Sequence, residues 1–138
     1  MSEELRLYTD GATAGDPTQG AICYRLLDSS DEVLLEVAQP IGAATSNEAE
    51  YRAVMIGLSA CQKYTRSRIR CYSDSELMVK QLRGEYRVSD PRLKQLVERI
   101  ERLAAQFRQV SFSHVRSTDR EMALAGRLAS AALNARTG

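Results

Sequence analysis

The sequence of 138 residues predicts an α/β fold with a five-stranded mixed sheet. Three runs of aliphatic and β-branched residues lie within residues 5–40, helical periodicity begins near residue 47, and two further strand-like runs then alternate with helical segments. The predicted order is therefore βββαβααβα. Strands joined by short turns pair antiparallel, whereas strands joined through helices pair parallel. We expect three antiparallel strands, two parallel strands and helices that flank the sheet.

The first three strands are predicted at residues 5–10 (LRLYTD), 21–27 (AICYRLL) and 33–40 (VLLEVAQP). Clusters of Gly, Asp, Ser and Pro separate them, and these residue types favour turns. The segments AGDPTQG and DSSDE are each short enough to join neighbouring antiparallel strands. The beginning of the chain is therefore predicted to be a meander of three strands.

The first helix is predicted to begin at the sequence SNEAE. Ser46 or Asn47 can accept a hydrogen bond from the free backbone N–H groups at its start. Glu48 and Glu50 would then lie in the first turn, where the helix dipole favours acids. The apolar residues that recur at three- and four-residue spacing are Ala49, Ala53, Ile56 and Ala60.

The rest of the chain alternates strands and helices. Residues 68–73 (RIRCYS) predict a buried strand, and the short helix after it is expected to end at Gly84. Asp90 is a good N-cap and Pro91 suits the first position of a third helix. Residues 109–115 (QVSFSHV) predict the fifth strand. The apolar stripes of the third and last helices run from Leu93 to Phe107 and from Met122 to Ala132.

Length and composition indicate one globular domain spanning residues 1–138. No apolar stretch approaches the ~18 residues that a membrane span needs. The acidic start MSEELR lacks the pattern of a secretory signal. Cys23, Cys61 and Cys71 are odd in number and lack C-x-x-C spacing, so neither a disulfide framework nor a zinc site is indicated. Buried free thiols fit a reducing compartment, and we expect a cytoplasmic protein.

The net charge of +1 hides an asymmetry between the two parts of the chain. Residues 1–60 carry three cations and ten acids, a net charge of −7, whereas residues 61–138 carry sixteen cations and eight acids, a net charge of +8. A carboxylate-rich part beside a basic part suits a protein that holds metal ions and binds a polyanion. The alternative is that the helix surfaces are simply rich in arginine.

Three acids lie where an apolar run ends or a helix begins. Asp10 closes the first predicted strand, Glu50 lies at the start of the first helix, and Asp74 follows the fourth strand. Singly, each has an ordinary explanation as a turn former, a solvated first-turn acid or an N-cap. Carboxylates delivered to one sheet edge from three elements can instead bind hard divalent cations. A pair of Mg²⁺ ions held in this way can promote displacement at a phosphodiester.

Four segments of the sequence resemble ribonuclease H of type 1, in the compact form found in archaea and many bacteria. They are YTDGATAGDPTQGAI, TSNEAEYRAVMIGL, YSDSELMVKQLRGEYRV and HV…ALAGRLASAAL, and the resemblance covers roughly residues 5–133. It implies a ribonuclease-H-like sheet and endonucleolytic cleavage of the RNA strand of RNA–DNA hybrids. It also implies Mg²⁺ or Mn²⁺ as the cofactor, with two ions bound in the presence of substrate and Asp10, Glu50 and Asp74 as ligands.

Further roles follow from the resemblance. His114 matches a histidine that assists near the scissile phosphate, although a histidine at a strand end can be purely structural. The positions implied to contact nucleic acid are Gly11, Ala12, Gly15, Thr45, Asn47, Ser73, Ser75, Lys80 and Arg83. For Asn47 and Ser73 helix capping is the alternative explanation. The expected partner is the RNA–DNA hybrid; a monomer is expected, and neither a membrane nor a protein partner is implied.

The last segment departs from the family pattern. The fourth metal-binding acid of the family corresponds to Gly126 here, which predicts weakened activity. Asp119 or Glu121, in a lengthened loop, could act as a surrogate ligand. Alternatively, substrate phosphate, water and the remaining carboxylates could hold the second ion and favour Mn²⁺. A third alternative is a non-catalytic module that binds RNA–DNA hybrids or double-stranded RNA.

Overall fold

The computed structural model describes residues 3–137, with side chains described as far as Ala135. Within these residues, five strands and four helices follow one another in the predicted order. They are β1 (Glu4–Ala14), β2 (Gln19–Leu27), β3 (Val33–Ala43), α1 (Ser46–Cys61), β4 (Arg68–Ser73), α2 (Glu76–Leu82), α3 (Pro91–Ala104), β5 (Gln109–His114) and α4 (Arg120–Thr137). None of the helices within the described part of the chain is long and apolar enough to cross a bilayer.

The sheet has the strand order β3-β2-β1-β4-β5. β1 pairs antiparallel with β2, and β2 pairs antiparallel with β3. β4 pairs parallel with β1 on one side and with β5 on the other. The predicted fold class, with three antiparallel and two parallel strands, is therefore confirmed. Because β1, β4 and β5 run in the same direction, their carboxyl ends lie at one edge of the sheet, where Asp10, Asp74 and His114 are found.

β1 and β3 are longer than the sequence predicted. β1 continues through Gly11 and Ala12 to Ala14, because residues 11–14 pair with residues 19–22 of β2. Gly11 and Ala12, two of the positions implied to contact nucleic acid, are therefore in a strand, whereas the exposed Gly15 lies in the turn, at a φ of 90°. β3 continues past Pro40, which an edge strand tolerates because one side of its backbone needs no partner.

Two helix starts differ from the predictions, and one agrees. The N-cap of α1 is Thr45, not Ser46 or Asn47: its Oγ1 accepts from the Glu48 N–H at 3.1 Å, and its own N–H donates to Glu48 Oε1 at 3.0 Å. This capping box satisfies two backbone donors at once. One consequence is that Glu50 lies in the second turn rather than the first.

The N-cap of α2 is Ser75, whose Oγ accepts from the Met78 N–H at 3.3 Å. The capping alternatives for Ser73 and Asp74 are therefore wrong, and the Asp74 carboxylate does not serve as the cap. Asp90 and Pro91 begin α3 as predicted, because Asp90 Oδ1 accepts from the Arg92 N–H at 2.8 Å.

The sheet separates two apolar clusters. Leu7 of β1 and Ile22 of β2 belong to the cluster that packs beneath α1 and α3. Tyr8 and Cys23, one residue further along each strand, belong to the second cluster, which packs against Met122 and its neighbours in α4. This alternation follows from the period of two in a strand. α1 and α4 therefore cover opposite faces of β1.

A buried arginine joins α4 to the sheet. Arg25 of β2 is 4% exposed, and its guanidinium forms ion pairs with Glu36 of β3, at 2.8 Å, and with Glu121 of α4. A buried cation is stable only where anions compensate the loss of hydration. The first turn of α4 is therefore attached to the middle of the sheet by charge as well as by apolar packing.

We expect the substitution Glu121→Gln to lower the free energy of unfolding by about 1–3 kcal/mol, because Arg25 loses one of two charged partners in a buried site. Urea denaturation measures this change. The control is Glu98→Gln on exposed α3, which should change the stability by less than about 0.5 kcal/mol. Equal stabilities for the two variants would show that the ion pair with Glu121 does not stabilise the fold.

Candidate metal centre

Three carboxylates from three separate elements meet at the carboxyl edge of the parallel strands. Asp10 belongs to β1, Glu50 to α1, and Asp74 follows β4 directly. Each is partly buried, and one carboxylate oxygen of each lies within 4.8 Å of the others. Among the described residues these are the acids that form a group able to hold a cation. The structure thus brings together the three acids that the sequence singled out.

Gly11 allows β1 and α1 to approach closely enough for this arrangement. A Cβ atom at Gly11 would lie 2.7 Å from the carbonyl carbon of Ala49 and 2.9 Å from the backbone nitrogen of Glu50. The strand and the helix could not keep this separation with any other residue. The Gly11 N–H donates to Asp10 Oδ1 at 2.9 Å and to Glu50 Oε1 at 3.1 Å. One backbone group therefore orients two of the carboxylates.

The electrostatics of the cluster favour the binding of a proton or a cation by its carboxylates. Burial, reinforced by the nearby charge of Asp10, raises the pKa of Glu50 to about 9. Burial and the charge of Asp74 also raise the pKa of Asp10, although its hydrogen bonds with Glu50 and Gly11 oppose the rise. Glu50 Oε2 is buried without a hydrogen-bond donor within the described residues. An orphaned carboxylate oxygen beside two other carboxylates fits a hard divalent cation, which takes oxygen ligands.

His114 stands at the same edge, one strand away from Asp74. It ends β5 opposite Ser73 of β4, and the Val115 N–H donates to the Ser73 carbonyl oxygen at 3.0 Å. Its side chain is exposed and lines a depression of about 650 Å³ with Glu76 and Asp119. The imidazole is thus accessible to solvent and to a ligand that lies over the edge of the sheet.

The two predicted surrogate ligands lie outside the cluster. Asp119 is occupied at the start of α4, where its Oδ2 accepts from the Glu121 and Met122 N–H groups at 3.2 Å each. Glu121 is held by Arg25. In the sequence both acids lie within seven residues of Gly126. The sequence does not reveal that the Asp119 carboxylate caps α4 or that the Glu121 carboxylate pairs with the buried Arg25.

Gly126 of α4 faces Asp10 directly. A Cβ atom at this position would lie 2.9 Å from Asp10 Oδ2, so the missing side chain leaves room for that carboxylate. Beside it is a depression of about 540 Å³, whose lining includes Asp10, Gly126, Arg127 and Asn134. Arg127 was not among the site residues predicted from the sequence, although its position next to Gly126 places it near Asp10.

The predicted contacts to nucleic acid are distributed around this edge. Asn47 is exposed near the start of α1 and is not the N-cap of that helix. Thr45 is also exposed, but its hydroxyl accepts a hydrogen bond from the Glu48 N–H. Ser73 is 2% exposed, and its Oγ accepts from the Ser75 N–H at 3.1 Å. The structure therefore does not support Ser73 as a phosphate contact, since its hydroxyl is buried.

The two cations that are implied to contact nucleic acid, Lys80 and Arg83, are each paired with a nearby glutamate. Lys80 forms an ion pair with Glu76 at 3.2 Å and lies 5.0 Å from the centre of the Tyr86 ring. Arg83 lies at the end of α2 and forms an ion pair with Glu85 at 2.9 Å. Both cations stand near the surface, but a phosphate would have to compete with a carboxylate for each.

The sequence comparisons point to one family. Residues 8–131 match the family described as reverse transcriptase-like. The ribonuclease HI of Halobacterium salinarum is 35% identical over 119 residues, which are 86% of this chain and 60% of that protein. The chain thus spans less than two thirds of the length of that relative.

Solved structures agree over almost the whole chain. The crystal structure of ribonuclease H1 from Halobacterium salinarum superposes with a TM-score of 0.88 at 32% identity, covering 95% of this chain and 98% of that one. The structure of LC11-RNase H1 in complex with an RNA/DNA hybrid gives a TM-score of 0.89 at 27% identity, covering 97% and 99%. Similarity in sequence and in fold along nearly the full length shows that the chain belongs to the ribonuclease H type 1 family.

Proposed function

We propose that this protein cleaves the RNA strand of RNA–DNA hybrids endonucleolytically and that the reaction depends on divalent metal ions. The observation that carries the proposal is the cluster of Asp10, Glu50 and Asp74, in which three carboxylate oxygens lie within 4.8 Å of one another. Membership of the ribonuclease H type 1 family and the RNA/DNA hybrid bound by a structural relative support the choice of substrate.

The three carboxylates would hold Mg²⁺ or Mn²⁺, with two ions expected when substrate is bound. Such ions supply activation of water and stabilisation of the leaving oxygen in phosphodiester hydrolysis. The chain contributes the positioning: the Gly11 N–H fixes the Asp10 and Glu50 carboxylates, and Asp74 approaches from the end of β4. His114, exposed at the end of β5, would assist proton transfer to the leaving oxygen or the release of product.

The hybrid would lie across the edge of the sheet, with its two strands on different elements. Thr45 and Asn47 at the start of α1, together with Gly11, Ala12 and Gly15, would face the RNA strand, where the exposed Asn47 amide can recognise a 2′-OH. Ser75, Lys80 and Arg83 around α2 would face the DNA strand. Because contacts to phosphate release counterions, binding should weaken as salt increases.

Asp10→Asn should reduce cleavage of a labelled RNA–DNA hybrid at least about 100-fold in either Mg²⁺ or Mn²⁺, because the amide removes a charge from the cluster. Rates measured by gel electrophoresis under single-turnover conditions test this. Glu98→Gln on exposed α3 makes the same change of acid to amide elsewhere and should leave the rate unchanged. Cleavage by the Asp10→Asn protein at the wild-type rate would refute the proposed site.

A non-catalytic module that binds RNA–DNA hybrids or double-stranded RNA is the second candidate. Gly126 favours it, because the position that faces Asp10 carries no acid. Hybrid binding by the wild-type protein with no cleavage in either Mg²⁺ or Mn²⁺ would establish this candidate in place of the enzyme.

The raised pKa of Glu50 predicts that stability depends on pH in the absence of metal. The unfolded chain ionises Glu50 above its ordinary pKa of 4.5, whereas the folded protein keeps the proton until about 9. The free energy of unfolding should therefore fall, by about 1 kcal/mol or more, as the pH rises through this window. Urea denaturation in EDTA at pH 5 and pH 8.5 measures it.

Glu50→Gln is the control for this pH dependence, because an amide cannot ionise. The variant should show a smaller loss of stability than the wild type between the two pH values, and Mn²⁺ should restore the stability of the wild type at pH 8.5 but not that of the variant. The same loss of stability in both proteins would show that other groups cause the pH dependence.

Gly126→Asp should tighten the binding of Mn²⁺ at least about 10-fold, a gain of about 1.4 kcal/mol, because it adds a carboxylate beside Asp10. Calorimetric titration with Mn²⁺ in the presence of an uncleavable hybrid measures the affinity. Gly126→Ala is the matched control: it adds the same Cβ atom against Asp10 Oδ2 without the charge. Equal Mn²⁺ affinities for the Asp and Ala variants would show that the site does not need a fourth acid.

A further inference from the structure

The depression of about 540 Å³ beside Asp10 lies between the end of β1 and α4. Asp10, Gly11 and Ala12 line it on the side of β1, and residues of α4 that include Arg127 and Ser130 line it on the other side. Among the described residues of this lining, Asp10 is the one acid. The depression therefore extends the carboxylate cluster along α4, and a ligand held by the cluster has room to reach into it.

Arg127 supplies a positive charge to this depression that the protein itself does not use. Its side chain is exposed, and within residues 3–135 it takes part in no ion pair, although Asp10 lines the same depression. Lys80 and Arg83, in contrast, are each paired with a glutamate. The Arg127 guanidinium is thus available to an anion that approaches the cluster.

Ser130 adds a second hydrogen-bond donor on the same side of α4. It is exposed and lines the same depression, three residues after Arg127. Residues three apart are neighbours on the surface of a helix. A guanidinium fork next to a hydroxyl suits a phosphate group, whose oxygens accept hydrogen bonds from both.

We propose that Arg127, assisted by Ser130, binds the phosphate of the RNA strand that neighbours the scissile phosphate. This inference rests on the proposed function, in which Gly11 and Ala12 face the RNA strand. Because these two residues also line the depression, a phosphate held there belongs to the RNA strand and not to the DNA strand. Arg127 is a substrate-binding residue in this arrangement, and the cleavage itself is left to the carboxylate cluster.

The absence of an internal partner makes this contact stronger than those of the cations on α2. Lys80 and Arg83 have to exchange a glutamate for a phosphate, so the net gain from each contact is small. Arg127 gives up no ion pair, and Gly126 beside it carries no acid that would compete for its charge or repel a phosphate. The largest contribution of a single cation to hybrid binding is therefore expected from Arg127.

Fluorescence anisotropy with a fluorescein-labelled RNA–DNA hybrid of about ten base pairs, in EDTA, measures this contact without cleavage. Arg127→Gln should weaken binding about 10-fold in about 50 mM NaCl, and should reduce the salt dependence of log Kd by about 0.9, the amount expected for one phosphate contact. Arg127→Lys keeps the charge and should keep the salt dependence. Arg99→Gln is the matched control, because it removes the same charge from exposed α3 on the opposite face of the sheet, and it should change Kd less than about 2-fold.

Two modified hybrids assign the contact to a strand. One carries uncharged methylphosphonate linkages at the centre of its RNA strand, and the other carries them at the centre of its DNA strand. Arg127→Gln should weaken binding of the second hybrid about as much as that of the unmodified one, but should change binding of the first less than about 2-fold, because the contact is already lost. The reverse pattern would place Arg127 on the DNA strand and overturn the proposal.

The proposal also fails if the wild-type protein binds none of the hybrids, or if Arg127→Gln and Arg99→Gln have equal effects on Kd. Cleavage kinetics separate this failure from that of the proposed function. Where the wild type cleaves in Mg²⁺ or Mn²⁺, Arg127→Gln should raise KM at least about 5-fold and change kcat less than about 3-fold, as expected for a contact made equally in substrate and transition state. Absence of cleavage by the wild type, with the effect of Arg127→Gln on binding retained, would refute the enzymatic function and support the contact.

Discussion

The contact between Gly11 and the start of α1 is the constraint on which the candidate centre depends. β1 and α1 approach until the position of a Cβ at Gly11 lies 2.7 Å from the backbone of Ala49. This separation lets the Gly11 N–H donate to Asp10 and Glu50 at once. Two acidic side chains are thus fixed side by side by a backbone group that cannot move independently of the sheet. Asp74 joins them because β4 runs parallel to β1 and ends at the same edge. A larger residue at position 11 would push α1 away from β1 and so separate Glu50 from Asp10.

This arrangement opposes the stability of the metal-free protein. Burial raises the pKa of Glu50 to about 9 and leaves its Oε2 without a donor among the described residues. Groups that destabilise a folded protein in this way tend to persist where a ligand resolves the conflict. Elsewhere in the same region, charge is compensated within the chain: Arg25, although buried, has two acidic partners. Arg25 on β2 thus has its charge compensated, whereas Glu50 on α1 has a carboxylate oxygen without a donor among the described residues, and this contrast indicates a site for an external cation.

The sequence predicted the order of the elements and the three acids, because both depend on local pattern and on strand direction. It did not predict features that depend on contacts between distant residues. Glu121 appeared free in the sequence but is held by Arg25, which is 96 residues away. Thr45, and not Ser46, caps α1, because Thr45 and Glu48 are three residues apart. The Thr45 hydroxyl accepts a hydrogen bond from the Glu48 N–H, and the Glu48 carboxylate accepts one from the Thr45 N–H. Ser73 looked like a phosphate contact, yet its hydroxyl is buried at the end of β4.

Gly126 leaves space for the carboxylate of Asp10. In the sequence it marks only the absence of an acid, whereas in the structure it is the residue against which Asp10 Oδ2 rests, 2.9 Å from the place of a Cβ atom. The side chain of an acid introduced at this position would lie against the Asp10 carboxylate. The two carboxylates would therefore have to share a cation or repel each other. The glycine therefore avoids repulsion in the metal-free protein, but it leaves the proposed metal site with one carboxylate fewer. With Asp119 occupied as a cap and Glu121 as a partner of Arg25, the neighbouring acids of α4 do not replace that ligand. If the protein acts as proposed, a second ion would need the substrate phosphate in place of the ligand that α4 does not supply.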